Sequence, residues 1–111
     1  KYQDLLKKSP FNSLYPRNYT EASSAYFDAS QAIYANGPIK EKEAHLAALA
    51  TSAATKCQYC IPFHIAQAKR LGATEDELKA AVQIAADVMR MSTMFYGNEF
   101  DLDEFKAMLK N

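Results

Sequence analysis

The chain has 111 residues, which is enough for one domain with an ordinary hydrophobic core. Hydrophobic residues make up 49% and charged residues 23%, a composition typical of soluble globular proteins rather than of disordered or fibrous ones. Thirteen basic and thirteen acidic side chains cancel, so we expect neither nucleic acid nor an anionic membrane surface as a partner. No apolar run reaches the roughly 18 residues that a membrane span needs.

Residues 1–18 are interpreted as an N-terminal arm. Pro10 and Pro16 each disfavour helix in the residue before them, so the pattern predicts a short helical turn followed by extended chain. We expect three apolar side chains of this arm to pack onto the body of the protein: Phe11, Leu14 and Tyr15. The first residues contain no signal-peptide core, and this favours a cytoplasmic location.

Residues 19–97 are predicted to form the helical core. The first long helix begins near Thr20 and ends near Asn36, where Gly37 is a typical C-terminal stop. Apolar residues recur in this helix at helical spacing. They predict a single apolar face: Ala22, Ala25, Tyr26, Ala29 and Ile33.

Two further helices are predicted between Pro38 and Gly72. Pro38 is a favourable first residue for a helix, and the helix that it opens is rich in alanine. Its predicted apolar face consists of Leu46, Leu49, Ala50 and Ala53. The next helix must begin close to Gln58 or later, because Pro62 is tolerated only near a first turn, and Gly72 ends it.

Thr74 and Glu77 have the spacing of a capping box and predict the start of a long helix that ends at Gly97. Its inward residues are predicted to be Leu78, Ala81, Val82, Ala85, Val88 and Met89. Asp101 opens a last helix within residues 98–111. Because no segment alternates with period two, the predicted fold is all-α: a single domain, 1–111, forming a compact bundle of about five to six helices.

Both cysteines of the chain and one of its two histidines lie within eight residues. If this segment is helical, Cys57, Cys60 and His64 fall within a sector of about 60°, because each residue turns by roughly 100°. A helix N-terminus and a nearby imidazole both favour the reactive thiolate form of cysteine. Two cysteines at this spacing can also close a disulfide, which indicates two-electron redox chemistry.

The pattern Cys57-x-x-Cys60-x-x-x-His64, with an alanine-rich helix before it and the Gly72-Ala73-Thr74 helix start after it, resembles the alkylhydroperoxidase D-like proteins of the carboxymuconolactone decarboxylase superfamily. The resemblance implies an all-helical fold, a homo-oligomer (trimer or hexamer) and an antioxidant thiol peroxidase. By position it assigns peroxide attack to Cys60, disulfide closure to Cys57 and proton transfer to His64. It implies a peroxide or disulfide substrate and an external dithiol reductant, with no metal or flavin.

One position departs from the family pattern. The family's proton-relay glutamate lies twelve residues before the first cysteine, where this chain has His45. A histidine can also accept and pass a proton near neutral pH, so we expect a relay between His45 and His64, either direct or through water. Glu41, one helical turn before His45, is a candidate for orienting it. The start of this helix is typical of exposed surface.

Three other interpretations remain open at this point. A decarboxylase-type relative would keep the fold but would not use the thiol pair. Cys57, Cys60, His64 and His45 could form a Cys2His2 zinc site, although helical spacing suits a tetrahedral site poorly. A non-catalytic helical assembly domain would use neither cysteine, and the nearby aromatic residues Tyr59 and Phe63 are expected mainly to pack. Proximity to the helix N-terminus alone would favour Cys57 as the more reactive thiol, so the residues and the resemblance differ on which thiol attacks.

Overall fold

The structure is a computed structural model that describes residues 1–110, and these residues form α-helices without any β-strand. The α-helices are α1 (Tyr2–Lys8), α2 (Thr20–Asn36), α3 (Glu41–Thr55), α4 (Cys60–Arg70), α5 (Glu75–Gly97) and α6 (Leu102–Met108). Two short 3₁₀ turns, Pro10–Leu14 and Arg17–Tyr19, connect α1 to α2. The predicted all-α class and the predicted number of helices are confirmed.

The contacts of the chain group into two compact units, Lys1–Glu41 and a second that begins at Lys42. The first contains α1 and α2, and the second contains α4, α5, α6 and nearly all of α3. The single-domain organisation stays a prediction. No helix among the described residues combines the length and the apolar composition needed to cross a membrane.

The N-terminal arm is more helical than its prolines predicted. The extended chain expected after the first helical turn is wrong, because Pro10 begins a 3₁₀ turn whose start is capped by the Ser9 hydroxyl, which accepts a hydrogen bond from Phe11 N–H at 3.2 Å. Proline is favourable at a first helical position, where its missing N–H has no helical partner to lose. Phe11 contacts Phe27 edge to face at 5.8 Å, but Leu14 is exposed, contrary to expectation.

Helix α2 has the predicted bounds, but the residues that it buries are polar rather than apolar. Within the N-terminal unit, α1 and the first 3₁₀ turn pack on the side of α2 that carries Ser24. Thr20 and Ser24 are therefore buried, whereas the residues of the predicted apolar face are exposed in this chain: Ala22, Ala25, Tyr26, Ala29 and Ile33. The periodicity correctly predicted which apolar residues share one side of α2. It did not predict which side of this helix the rest of the unit covers.

The second unit has a small apolar core formed by α3, α4 and the first half of α5. Its buried apolar residues are Leu49, Ala68, Leu78 and Ala81, and Leu46, Ile61, Ile65 and Ala73 pack around them. The inward positions predicted for the rest of α5 are wrong in part, since Val82, Val88 and Met89 are exposed. The first half of α5 therefore contributes to the core of the second unit, whereas much of its second half lies on the surface.

Helices α3, α4 and α5 end in similar ways. Each helix is followed within two residues by a residue with positive φ: Lys56 (58°) after α3, Gly72 (94°) after α4 and Glu99 (53°) after α5. The predicted stop at Gly72 is confirmed, whereas beyond Gly97 the left-handed position is Glu99. Helix α3 begins at Glu41 rather than at Pro38, so the predicted start was three residues early.

Candidate functional site

The turn between α3 and α4 places the first cysteine. Lys56 N–H donates to the Ala53 carbonyl at 3.2 Å and Cys57 N–H donates to the Ser52 carbonyl at 3.0 Å, which together form a Schellman motif with Lys56 in the left-handed conformation. A non-glycine residue in this conformation costs roughly 1 kcal/mol or more. The two hydrogen bonds hold Cys57 directly at the end of α3.

Cys57 and Cys60 are joined as a disulfide across the start of α4, with their Cα atoms 5.3 Å apart. Cys60 is the first residue of α4, and its backbone N–H donates to Cys57 Sγ at 3.1 Å. Pro62 falls in the first turn, where its missing N–H costs no helical hydrogen bond, as predicted. The N-terminus of α4 therefore directs a donor at the sulfur of Cys57, which favours a thiolate there when the pair is reduced.

The two histidines of the chain meet across α3 and α4. His45 Nδ1 and His64 Nδ1 are 3.0 Å apart, with ring centroids at 5.2 Å. Both side chains are buried, with exposed fractions of 3% for His45 and 8% for His64. The expectation that His45 lies in exposed surface is wrong, because α4 packs on this side of α3. The direct contact between the rings is one of the two geometries expected for a relay.

The contact between the two Nδ1 atoms limits the number of protons that the two imidazoles can hold together. A hydrogen bond between two Nδ1 atoms needs one proton between them, so one ring donates and the other accepts. Two imidazolium rings would bring two N–H groups and two positive charges together. Burial, and then the charge of His45, lower the pKa of His64 and favour its neutral form. The pair is therefore suited to hold at most one additional proton near neutral pH.

The start of α3 is tied to the start of α5, and this fixes the helix that carries His45. Lys42 Nζ lies 3.0 Å from Glu77 Oε2. The other oxygen of Glu77 accepts from the Thr74 N–H at 2.9 Å, and Thr74 Oγ1 accepts from the Glu77 N–H at 3.0 Å. The predicted capping box is thus confirmed, and its glutamate also carries the ion pair. The backbone N–H of Thr74, followed by Lys42, lowers the pKa of Glu77.

Phe63 completes the surroundings of the imidazole pair. Its ring lies 4.9 Å from the His64 ring and 6.2 Å from the His45 ring, edge to face in both cases. Tyr59, by contrast, is 78% exposed, so the expectation that it packs is wrong. Sequence reasoning gave Phe63 no role at the histidines. The available signal was its position, since it directly precedes His64 on α4.

The structure brings the four predicted site residues into one region of the second unit. Cys57 and Cys60 are bonded, His64 follows Cys60 by one helical turn on α4, and His45 contacts His64 from α3. Among residues 1–110, no group of three or more His, Cys, Asp or Glu side chains is arranged to hold a metal ion. The role predicted for Glu41 in orienting His45 stays a prediction.

Comparison with known proteins gives a consistent assignment. The chain is 28% identical over 75 residues to a Paracoccus denitrificans protein named "uncharacterized protein 4 in cox locus", an alignment that covers 68% of each chain. No solved structure matches the chain significantly. The model of the carboxymuconolactone decarboxylase family matches residues 20–97, a range that contains both cysteines and both histidines. The chain belongs to the carboxymuconolactone decarboxylase family.

Proposed function

We propose that this protein is an alkylhydroperoxidase D-like thiol–disulfide oxidoreductase that reduces peroxides. The observation that carries the proposal is the Cys57–Cys60 disulfide at the start of α4, one helical turn from a buried pair of hydrogen-bonded imidazoles. A dithiol beside a proton-accepting group can give two electrons to a peroxide and close a disulfide. No other cysteine is present in the chain to complete such a cycle.

In the first step, the reduced Cys60 attacks the peroxide. The imidazole of His64, one helical turn after Cys60 and in contact with His45 through Nδ1, accepts the thiol proton. The Cys60 thiolate forms a sulfur–oxygen bond as the oxygen–oxygen bond breaks, and the leaving alkoxide takes up the proton as an alcohol. His45 shares the positive charge of His64 through the Nδ1 contact while the proton is held.

In the second step, the Cys57 thiolate attacks Cys60 Sγ. The sulfur–sulfur bond forms, the sulfur–oxygen bond breaks, and the hydroxide leaves as water after taking up the proton that the Cys57 thiol has lost. The Cys60 N–H, which lies 3.1 Å from Cys57 Sγ, stabilises this thiolate before the attack. The position of His64 one helical turn after Cys60 supports the attacking role that the resemblance implies for Cys60, and the N–H at Cys57 Sγ supports the resolving role of Cys57.

An external dithiol then reduces the disulfide and supplies two electrons and two protons. We propose that the protein works as a homo-oligomer, since several large apolar side chains on α5 are exposed in the single chain: Val82, Ile84, Val88, Met89 and Met94. A decarboxylase-type reaction would leave the cysteine pair without a role, and for that reason we favour the redox function. The cytoplasmic location stays a prediction.

Counting thiols before and after one equivalent of an organic hydroperoxide tests the proposal. The fully reduced wild type should lose two thiols and form one disulfide. Cys57→Ser should retain a sulfenic acid at Cys60, detectable by mass spectrometry with a dimedone trap. Cys60→Ser should react little.

Two results would count against the mechanism. Loss of no thiols in the wild type would remove the peroxidase activity and leave only disulfide exchange. A sulfenic acid that is trapped in Cys60→Ser but not in Cys57→Ser would exchange the roles of the two cysteines. Reduced wild type incubated without hydroperoxide in the same degassed buffer controls for oxidation by air.

A further inference from the structure

The aromatic ring of Phe63 contacts both imidazoles of the site. It meets the His64 ring at an interplanar angle of 73° and the His45 ring at 71°, with centroid distances of 4.9 and 6.2 Å. The two contacts are different in origin, because Phe63 is the helical neighbour of His64, whereas His45 approaches from α3. A single side chain therefore lies beside both members of the pair.

Phe63 differs from the two imidazoles in its exposure to solvent. The two imidazoles are almost fully buried, while Phe63 itself is 46% exposed. Its ring thus has one side against the histidines and another in water. Phe63 does not belong to the buried apolar core, which consists of Leu49, Ala68, Leu78 and Ala81. Among the described residues, its ring contacts are those with the two imidazoles.

We propose that Phe63 is a positioning residue that holds His45 and His64 in their direct Nδ1–Nδ1 hydrogen bond and keeps water from entering between them. Water at this contact would offer each ring another partner and would let the rings separate. The dry contact keeps the proton accepted from Cys60 within the pair until the leaving group takes it. The kinetic part of this inference rests on the proposed function, whereas the structural part does not.

The electrostatic surroundings define what removal of the ring should change. Burial is the main cause of the lowered pKa of His64, and His45 is the titratable group whose charge adds to it. The charged groups on the first turn of α3 are Glu41, Lys42 and Glu43, and Lys42 pairs with Glu77 of α5. Cys57 and Cys60, at the start of α4, form the disulfide in the oxidised protein and do not titrate there. Removing Phe63 leaves these charges in place and changes the access of water to the rings.

The test compares Phe63→Ala, Phe63→Tyr and Tyr59→Ala with the wild type. The ring signals of the two histidines are followed by NMR as a function of pH in the oxidised protein, and His45→Gln assigns them. In Phe63→Ala we expect the pKa of His64 to rise toward its ordinary value of about 6.5. Phe63→Tyr keeps the ring and should titrate as the wild type. Tyr59→Ala removes the other exposed aromatic residue of the segment and should also titrate as the wild type.

The second measurement is the pH dependence of thiol oxidation by hydroperoxide in the reduced proteins. Since His64 must be neutral to accept the Cys60 proton, the acidic limb of the Phe63→Ala profile should move to higher pH. Its rate at the optimum should fall roughly tenfold to a hundredfold, the usual consequence of a displaced catalytic group. Far-ultraviolet circular dichroism of each variant reports whether the helices are intact.

The outcomes separate the two proposals. An unchanged His64 titration in a folded Phe63→Ala variant, or an equal shift in Tyr59→Ala, would overturn the role of Phe63. A shifted titration in Phe63→Ala alone supports that role even if no variant consumes hydroperoxide, a result that would overturn only the peroxidase function. If the wild type consumes hydroperoxide but the acidic limb of the Phe63→Ala pH profile does not move, the positioning role is contradicted while the peroxidase function stands.

Discussion

Each of the two units contains a buried cluster of polar side chains, and the clusters differ in what their groups can do. In the first unit, the N-terminal polar cluster consists of Asn12 and Ser24: Asn12 Nδ2 donates to the Leu5 carbonyl at 2.7 Å and approaches Ser24 Oγ at 3.4 Å. In the second unit, the imidazole pair consists of His45 and His64 at 3.0 Å. Both clusters avoid unpaired buried polar atoms, as a folded chain requires.

The difference lies in protonation. An amide and a hydroxyl keep the same charge throughout the physiological pH range, so the N-terminal polar cluster can fix α1 and the following turn on α2 but cannot move a proton. Imidazoles change charge close to neutrality, and a buried pair that shares one proton does so next to the disulfide of α4. Burial of polar groups thus fixes structure in the first case, and under the proposed function it serves proton transfer in the second.

The largest expected effect comes from removing the proton acceptor. His64→Gln keeps a side chain that can hydrogen-bond to His45 but cannot take up the Cys60 proton, so the rate of thiol oxidation by hydroperoxide should fall about 10²-fold or more. Stopped-flow measurement of thiol loss gives this rate. Asn12→Ala should leave the rate of thiol oxidation unchanged. An equal loss of rate in both variants would show that the two clusters do not differ in their effect on the reaction.

The next effect concerns stability in the N-terminal polar cluster. Asn12→Ala leaves the Leu5 carbonyl and Ser24 without their amide donor, and the free energy of unfolding should fall by about 1–3 kcal/mol. Urea denaturation followed by circular dichroism measures the change. Asn18→Ala is the matched control, because Asn18 is exposed and its loss should cost less than about 0.5 kcal/mol. Equal effects of the two substitutions would contradict the structural role of Asn12.

The smallest effect is a dependence of stability on pH. The pKa of His64 is lowered in the folded protein, so the unfolded chain takes up this proton first as the pH falls. The free energy of unfolding should therefore be highest above about pH 6.5 and decrease as the pH is lowered from there, by at most about 1.4 kcal/mol per pH unit for one proton. Urea denaturation between pH 7.5 and 5 measures this slope.

His64→Gln should flatten the slope over this interval, while Asn12→Ala should lower stability by the same amount at every pH. Glu75 and Glu77 do not interfere, because their pKa values are also lowered and their contributions are lost only in more acidic solution. Lys69 is the main cause for Glu75, and the Thr74 N–H for Glu77. A slope that persists in His64→Gln would show that other groups dominate this interval.

The candidate site could be predicted from the sequence to the extent that it is local. Cys60 and His64 lie one turn apart on α4 and Cys57 lies three residues before that helix, so their proximity follows from spacing, and the disulfide and the first-turn position of Pro62 agree with it. The position of His45 in the site came from the resemblance alone. Its burial was missed because the start of a helix is commonly exposed, and nothing in the residues around His45 shows that α4 covers it.

The amino-acid sequence by itself determined where α2 and α4 end and where α5 begins, since Gly37, Gly72 and the Thr74–Glu77 capping box act through the backbone of their own neighbours. Only the tertiary structure decided which faces are covered. Helix α2 buries Ser24 rather than Tyr26, and α3 directs His45 at His64, because these outcomes depend on which other segment packs there. Hydrogen bonds within a helix turn are local, whereas burial is a property of two surfaces that the chain brings together from distant positions.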